Sequence, residues 1–260
     1  MERGNTMEEI LRMEHITKKF GEFYANKDIN LSVLKGEVHT LLGENGAGKS
    51  TLMNILFGLY QPTAGQIYLR GKPVHIDSPA TAVKLGIGMV HQHFMLVEAM
   101  TVFENIILGD RNTKGIFIDR EARRREILEL SKKYGLDVEL DKPITEIAVG
   151  AQQRVEILKS LYRGAELLVL DEPTAALDAL AEKQLYERFD RMIGKKSAVY
   201  ISHRLASTRF CDRIAMFMDG RLAEYGTHDE LMDKGGEYAH LFDVQAQYYR
   251  EHPEGEEDAE

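Results

Sequence analysis

The sequence predicts a mixed α/β fold with an inserted helical segment, and three observations lead to this prediction. Short apolar runs alternate with turn signals from the N-terminus to about residue 93. Residues from about 94 to 164 show helical periodicity without a strong strand. Two apolar strands, ELLVLDE and SAVYISH, then follow with a helix between them. Because buried strands that alternate with helices form parallel sheets, this pattern predicts an α/β core that a helical subdomain interrupts.

The N-terminal part is predicted to hold most of the strands. A glycine-rich loop lies between an apolar strand, VHTLLG, and a helix, STLMNILFGLY, which is expected to end at Pro62. The other predicted elements, in chain order, are the strands EILRMEHITKKF and ANKDINLSV, the hairpin QIYLRGKPVHI around Gly71, the short helix PATAVKLG and the strand IGMVHQ. These hairpin and strand signals predict a small antiparallel β subdomain near the N-terminus.

The helical segment and the C-terminal part complete the predicted organisation. Asp119 is suited to cap a long amphipathic helix through Tyr134, and a second helix is predicted from Gln152 to Tyr162. The remaining predicted elements are a helix from Asp178 to Ile193, a helix around Leu205 to Arg209 and the hairpin RIAMFMDGRLAEYG, which turns at Asp219-Gly220. Residues 1–260 are expected to form one domain, with a core of residues 1–93 and 165–250, a helical subdomain of residues 94–164 and an acidic, disordered tail of residues 251–260.

Composition and charge exclude several classes of protein. The chain has 260 residues, of which 43% are hydrophobic and 29% charged, as in ordinary globular proteins. Its single cysteine rules out an intrachain disulfide or a cysteine-rich zinc site and predicts a reducing compartment. No apolar run approaches the ~18 residues of a membrane helix. The net charge is −9, but six carboxylates stand in the last ten residues, so the rest of the chain is near neutral and predicts no nucleic-acid partner.

A phosphate-binding loop is predicted from Gly43 to Ser50. The segment GENGAGKS fits the pattern G-x-x-x-x-G-K-[ST], with a strand before it and a helix after it. Glycines let successive backbone N–H groups surround a phosphate, and the helix N-terminus adds a positive dipole end. Lys49 can span the β- and γ-phosphates, and the Ser50 hydroxyl can bind Mg²⁺. The predicted nucleotide-binding residues are Gly43, Glu44, Asn45, Gly46, Ala47, Gly48, Lys49, Ser50 and Thr51.

Two adjacent carboxylates, Asp171 and Glu172, end the apolar strand ELLVLDE. Buried strands of a parallel sheet end at the edge where ligands bind. We expect Asp171 to hold Mg²⁺ through a water molecule and Glu172 to polarise an attacking water as a general base. The loop and this pair together predict nucleotide hydrolysis.

Further motifs stand in a characteristic order around these two. Gln92 follows the strand IGMV, the segment IAVGAQQR covers Ile147 to Arg154, AALD ends at Asp178, and His203 ends YISH. In order and spacing the motifs resemble the ATPase domain of ATP-binding cassette (ABC) transporters over about residues 8–248. The resemblance implies a P-loop, RecA-like ATPase core with an antiparallel β subdomain and an inserted helical subdomain.

The resemblance also implies roles for individual residues. Gln92 corresponds to the glutamine that senses the γ-phosphate and Mg²⁺, and His203 to the switch histidine that contacts the γ-phosphate. Asp178 belongs to a loop that couples two sites across a dimer, and Phe20 takes the place of the aromatic ring that stacks on adenine. The expected catalytic residues are Lys49, Gln92, Glu172 and His203, and the expected metal ligands are Ser50, Gln92 and Asp171.

The family's signature segment, L-S-G-G-Q, is altered in this chain to IAVGA. In the family this segment of one subunit covers the ATP that the other subunit holds, and its serine donates to the γ-phosphate. Ala148 has no hydroxyl to donate. The residues left to contact the nucleotide are Val149 and Gly150, together with the N-terminus of the helix expected to start near Gln152. The altered segment predicts a weaker composite site.

The two parts of the chain resemble different subfamilies. Residues up to about 170 resemble the ATPases of simple-sugar and nucleoside importers, and residues from about 171 to 250 resemble exporter-type cassettes. Two origins are considered for this pattern: a recombined or engineered chimera of two subfamilies, and an unusual natural subunit with one cassette.

The expected function is that of the ATP-hydrolysing motor of an ABC transporter. ATP and Mg²⁺ are the expected cofactors, and the expected partners are a second cassette, identical or different, and a membrane permease subunit. The expected location is cytoplasmic, peripheral on the inner face of the membrane. Two alternatives stay open: a nucleotide-binding cassette with little turnover, and a soluble cassette ATPase that is not part of a transporter.

Overall fold

The computed structural model describes residues 8–92, 94–109, 119–172, 196–203 and 205–251. Its strands, in chain order, are β1 (Glu9–Phe20), β2 (Phe23–Leu34), β3 (Val38–Leu42), β4 (Ala64–Leu69), β5 (Lys72–Val74), β6 (Ile87–Val90), β7 (Leu167–Asp171), β8 (Ser197–Ser202), β9 (Arg213–Met218) and β10 (Arg221–Gly226). Its α-helices are α1 (Lys49–Leu56), α2 (Pro79–Lys84), α3 (Val102–Ile107), α4 (Arg120–Tyr134), α5 (Val149–Tyr162), α6 (His228–Lys234) and α7 (Glu237–Glu251). Short 3₁₀ helices cover Ile144–Glu146 and Leu205–Phe210.

The N-terminal strands form a four-stranded antiparallel sheet in the order β2-β1-β4-β5. Its apolar side chains, such as Leu11, Met13 and Ile29, pack in the same core cluster as α1 and α2. Because successive strand residues point to opposite faces, the polar residues between them face away from this core. The sheet confirms the predicted β subdomain and the hairpin around Gly71.

The second sheet has six strands in the order β10-β9-β3-β8-β7-β6. β3 is parallel to β8 and β9, and β7 is parallel to β6 and β8, whereas β10 is antiparallel to β9. Parallel strands place their carboxyl ends at one edge. The phosphate loop and the residues Gln92, Glu172 and His203 follow β3, β6, β7 and β8, so the topology brings them to a common edge.

Both faces of the parallel strands are covered, which explains their continuous apolar runs. Along β7, Leu167 and Val169 belong to the core cluster shared with α1 and α2. Leu168 and Leu170 belong to the cluster that contains α3, α4 and α5. The helical part of the chain therefore packs on one face of the sheet. α4 begins as predicted, because Asp119 Oδ1 accepts a hydrogen bond of 2.9 Å from the Ala122 N–H.

The prediction that α1 continues to Pro62 is wrong, because the helix ends at Leu56. Gly58 has a φ of +77°, a left-handed conformation that closes a helix. The Leu59 N–H then donates back to the Asn54 carbonyl at 2.9 Å, which satisfies one of the last carbonyls of the helix. The glycine, rather than the proline, is the stop signal.

Other boundaries also differ from the prediction. α5 begins at Val149 instead of Gln152, and the segment Leu205–Phe210 is a 3₁₀ helix. α3 was not predicted, although Thr101 and Glu104 form a capping box at its start. The predicted tail overlaps the last helix by one residue, Glu251, and its other residues lie outside the described ranges. The helix predicted from Asp178 to Ile193 lies outside them as well, and the division into domains stays a prediction.

No helix within the described ranges combines the length and the apolar character that crossing a membrane requires.

Two glycines of the phosphate loop allow a matched test of how closely β2 approaches it. Gly46 and Gly48 have φ of +86° and +99°. A Cβ at Gly48 would lie 2.3 Å from the Ala25 carbonyl oxygen, whereas a Cβ at Gly46 would have nothing within 4 Å. We expect Gly46→Ala to lower the free energy of unfolding by about 1–2 kcal/mol through backbone strain. Gly48→Ala should lower it by more than ~3 kcal/mol, because a backbone must also move. Urea denaturation measures both, and equal losses would contradict the close contact.

Candidate active site

The phosphate loop is held between two strands by contacts that only glycine permits. Gly43 has a φ of +147°, and a Cβ there would lie 2.3 Å from the Phe217 carbonyl oxygen of β9. On the other side, the Asn26 side chain of β2 donates a hydrogen bond of 3.0 Å to the Gly48 carbonyl. The loop is thereby fixed at the end of β3. The remaining predicted loop contacts lie in the same turn and at the start of α1: Glu44, Asn45, Gly46, Ala47, Ser50 and Thr51.

Lys49 folds back into the loop and is only 5% exposed. Its ammonium donates to the carbonyl oxygens of Gly43 at 2.6 Å and Glu44 at 2.8 Å. Burial lowers the pKa of Lys49, while the nearby charges of Glu172 and Asp171 act in the opposite direction. A cation held by neutral carbonyls keeps most of its charge available to an anion. The loop thus fits the phosphate chain for which its sequence was predicted.

Asp171 lies within reach of the first turn of α1. Its Oδ1 accepts a long hydrogen bond of 3.4 Å from the Ser50 hydroxyl. Burial raises the pKa of Asp171, and the neighbouring carboxylate of Glu172 raises it further. The folded protein therefore disfavours the charged form of Asp171 until a cation is present.

Glu172 connects three strand ends. Its Oε2 accepts a hydrogen bond of 3.2 Å from the Gln92 side chain, and its Oε1 lies 3.0 Å from His203 Nδ1. The backbone of Glu172 has a φ of +45°, which is uncommon for a residue with a side chain, and its N–H donates to the Ile201 carbonyl at 3.1 Å. This backbone turn directs the carboxylate toward the ends of β6 and β8. Strain of this kind is concentrated at functional sites.

The donor set fits Mg²⁺ in the company of a phosphate chain. Ser50, Gln92 and Asp171 offer a hydroxyl, an amide oxygen and a carboxylate, which are hard oxygen ligands. Over the described part of the chain, no group of three or more His, Cys, Asp or Glu side chains is arranged to hold a metal ion. Mg²⁺ is usually held by one or two carboxylates together with substrate phosphates and water.

Phe20 lies at the end of β1 with its side chain 45% exposed. Its ring meets Tyr60 edge-to-face, with ring centroids 5.4 Å apart, and the Lys18 ammonium lies 5.0 Å from its centroid. An exposed ring that is fixed by its neighbours is suited to stack on a flat base. Sequence reasoning did not identify Tyr60 or Asn26 as part of the site, because both contacts join segments that are distant in the chain.

Ala148, Val149 and Gly150 form the exposed start of α5. Ala148 is the N-cap residue and provides no side-chain hydrogen bond to the helix. A Cβ at Gly150 would have nothing within 4 Å, so this helix end is open. The structure brings together Lys49, Ser50, Gln92, Asp171, Glu172 and His203, and it leaves this helix end outside that cluster. Asp178 lies outside the described residues.

The sequence matches the family described as "ABC transporter" over residues 26–175. It is 54% identical over 216 residues to a protein named nucleoside import ATP-binding protein NupA from Lactococcus lactis, covering 82% of this chain and 43% of the relative. It is 51% identical over 217 residues to guanosine import ATP-binding protein NupO from Bacillus subtilis, covering 83% and 42%. The chain therefore spans less than half the length of these curated relatives.

Solved structures give the same result. A nucleotide-free ATP-binding cassette from an ABC transporter superposes with a TM-score of 0.77 at 27% identity, covering 86% of this chain and 94% of that one. A dimeric cassette described as bound to ADP and Pi in a post-hydrolysis state has a TM-score of 0.71 at 29% identity, covering 84% and 98%. The predicted P-loop ATPase fold is confirmed.

The matches also bear on the predicted change of subfamily near residue 171. An alignment to import proteins that covers 82–83% of a 260-residue chain must extend well beyond that position. The comparisons therefore give no support to a recombined chain.

The raised pKa of Asp171 predicts that this carboxylate destabilises the empty protein. Asp171→Asn should raise the midpoint of thermal unfolding without ligand by a few degrees, roughly, because Asn removes a buried charge beside Glu172. The destabilisation by ionised Asp171 is present above its folded-state pKa and disappears as the pH falls below its ordinary value, so the gain should shrink at lower pH.

The same variant should lose most of the stabilisation that Mg²⁺ and nucleotide give the parent. Thermal unfolding with and without magnesium nucleotide measures both effects. Asp212→Asn is the control, because this carboxylate accepts from the Val38 N–H at the opposite end of β3. A parent and an Asp171→Asn variant with the same ligand-free midpoint at neutral pH would contradict the prediction.

Proposed function

The chain belongs to the ABC transporter family, and from this premise we propose that it is the ATP-binding and ATP-hydrolysing subunit of a transporter. One observation carries the proposal. The Glu172 carboxylate is held by Gln92 and His203 beside a phosphate loop whose lysine is buried but bound only to carbonyl oxygens. In this arrangement Glu172 is the proposed base, Gln92 and His203 contact it from two sides, and the lysine supplies a positive charge for the phosphate chain.

In the proposed reaction, a water molecule attacks the γ-phosphorus of ATP while Glu172 takes its proton. The new P–O bond forms as the bond to the β-phosphate oxygen breaks, and ADP leaves with that electron pair. Lys49 balances the negative charge of the phosphate chain, and His203 holds Glu172 and the γ-phosphate in register. Mg²⁺, when bound through Ser50, Gln92 and Asp171, supplies further neutralisation of phosphate charge.

The proposed contacts to the nucleotide include both ends of the molecule. The base stacks on Phe20, and the phosphates lie along Gly43 to Thr51. We further propose that Asp178 and the start of α5, with Ala148, Val149 and Gly150, contribute to the site of a second cassette. The exposed, uncapped N-terminus of α5 supports this, since its free N–H groups can face a phosphate.

The partners and the cargo are part of the proposal. The names of the relatives indicate import of nucleosides, and those proteins are more than twice as long as the matched segment. We propose that two cassettes, identical or different, associate head to tail, bind a membrane permease from the cytoplasmic side and drive uptake of a nucleoside or a simple sugar. The dimeric neighbour supports a paired arrangement.

Glu172→Gln should bind ATP as the parent does and lose hydrolysis. The amide keeps the shape of the side chain but cannot take a proton, so kcat should fall by roughly 10²–10⁴. Phosphate release at saturating MgATP measures kcat, and calorimetry measures Kd. Glu166→Gln is the matched control at the other end of β7, where the carboxylate pairs with Arg70. Turnover of Glu172→Gln at the parent rate would remove the residue from its proposed role, and no turnover by the parent would favour a binding cassette.

Ala148→Ser has two effects that can be measured separately. At the N-cap, the serine oxygen can accept from the Ala151 N–H, which should stabilise the protein by about 0.5–2 kcal/mol whether or not it dimerises. The hydroxyl hydrogen can then donate to a γ-phosphate held by a second cassette, and a few-fold rise in kcat is expected. Ala151→Ser, one turn inside the helix, is the control. A stabilised variant with unchanged kcat and unchanged ATP-dependent dimerisation would contradict the composite site.

A further inference from the structure

A short turn lies close to the histidine of the site in the sequence. His203 directly follows β8, and the 3₁₀ helix Leu205–Phe210, which we call the post-switch turn, begins two residues later. The His203 side chain is 46% exposed and is held at Glu172 by one contact of 3.0 Å. A half-exposed ring on a strand end keeps its position only if the backbone on both sides of it is fixed. β8 fixes one side, and the post-switch turn is the next described element on the other side.

A chain of three hydrogen bonds ties the post-switch turn to the C-terminal helices. His228 Nδ1 lies 2.7 Å from the Tyr238 hydroxyl, which donates to Thr208 Oγ1 at 3.0 Å. Thr208 Oγ1 in turn donates to the Leu205 carbonyl at 2.6 Å. The chain therefore runs from α6 through α7 to the first residue of the turn.

The direction of every bond in this chain follows from counting hydrogens. The Thr208 hydroxyl has one hydrogen and gives it to the Leu205 carbonyl, so it must accept from Tyr238. The Tyr238 hydroxyl has then used its own hydrogen, so it must accept from His228, whose Nδ1 is consequently protonated. Burial raises the pKa of Tyr238, which keeps its hydroxyl protonated as a donor. Removal of one hydroxyl from this chain therefore leaves the next side chain without its hydrogen-bond partner.

The surroundings of this chain exclude water and connect it to the nucleotide side. Tyr238 and Thr208 are both buried, and Tyr238 belongs to a core cluster that also contains Leu42 and Leu205. Leu42 is the last residue of β3, immediately before the phosphate loop. The turn is held at its other end by Cys211, whose thiol donates to the Thr208 carbonyl at 3.2 Å. Hydrogen bonds removed from water in this way define one position of the backbone.

We propose that Tyr238 and Thr208 are positioning residues for His203, through which the C-terminal helices α6 and α7 hold the histidine against Glu172. This inference rests on the proposed hydrolysis of ATP. Neither residue reaches the nucleotide, so their effect is on how often His203 occupies its productive position. The affinity for ATP should therefore be unchanged while the rate of the chemical step falls.

Four variants test the proposal in the full-length chain. Tyr238→Phe removes the middle hydroxyl, and Thr208→Val removes the last one at nearly constant volume. Thr208→Ser keeps the hydroxyl and is the conservative rescue. Tyr225→Phe is the control for the loss of a tyrosine hydroxyl. Tyr225 lies on β10 away from the turn, and its hydroxyl donates to the Ser32 carbonyl at 3.2 Å. Thermal unfolding of all four shows which are folded at the assay temperature.

Steady-state hydrolysis gives the first readout. We expect kcat to fall about three- to tenfold in Tyr238→Phe and in Thr208→Val, with KM for ATP within twofold of the parent. Thr208→Ser and Tyr225→Phe should keep the parent kcat. The double variant Tyr238→Phe/Thr208→Val should be no slower than either single variant, because both substitutions interrupt the same chain of hydrogen bonds. Parent kcat in both hydroxyl-deletion variants, or a rise in KM alone, overturns the proposal. If Tyr238→Phe does not fold, the Thr208 pair decides.

The ¹⁵N resonances of the histidine rings give a readout that does not need turnover. With ¹⁵N-histidine labelling, the His203 signal, assigned by its loss in His203→Ala, should shift or broaden in Thr208→Val and return in Thr208→Ser. A parent that does not hydrolyse ATP would refute the proposed function, and this signal would still test the positioning of His203. An unchanged His203 signal in folded Thr208→Val and Tyr238→Phe refutes the inference, whatever the turnover of the parent.

Discussion

The structure has to keep an ammonium and two carboxylates at one sheet edge without letting them neutralise each other. Lys49 is bound to the carbonyls of its own loop, and the Asp171 carboxylate accepts a hydrogen bond from the Ser50 hydroxyl. Burial works against the charged form of both groups. A site of this kind gains free energy when a polyanion and a cation enter together, since each charge then finds an opposite partner. The folded protein therefore tolerates the unfavourable burial of these charges before any ligand binds.

The buried strands of the central sheet stabilise the fold and offset the destabilising charges of the site. Strand β7 alternates its side chains between two core clusters, so it is fixed from both faces before it ends at Asp171. Its neighbours β6 and β8 are buried along their whole length as well. Side chains at the ends of such rigid strands are held in fixed positions, and preorganised catalysis requires fixed positions. The left-handed backbone at Glu172 is tolerable for the same reason, because the surrounding ladder over-determines it.

Most of the strands and the longer helices could be predicted from the sequence, because they depend on local patterns. Apolar strands and the motif GENGAGKS predict a sheet edge with Lys49, Ser50, Asp171 and Glu172 without any tertiary information. Gln92 and His203 were predicted only through the family resemblance. Positions that depend on a single backbone conformation were less predictable: the end of α1 is set by Gly58, and the start of α5 lies three residues before the apolar periodicity suggested. Contacts between distant segments, such as Phe20 with Tyr60, leave no local signal at all.

The signature segment of this chain does not follow the usual preference for a polar N-cap residue. Ala148 is a poor N-cap, and a serine there would serve the helix as well as a phosphate. The chain instead leaves the first N–H groups of α5 without a side-chain partner at an exposed position. The backbone N–H groups of the first turn and the positive end of the helix dipole can attract an anion. In the proposed pair of cassettes, a covering segment with backbone donors alone would bind a phosphate through fewer and weaker contacts, so it would separate more readily after hydrolysis. We therefore expect alanine at position 148 to lower the affinity between the two proposed cassettes and to speed the opening of the pair.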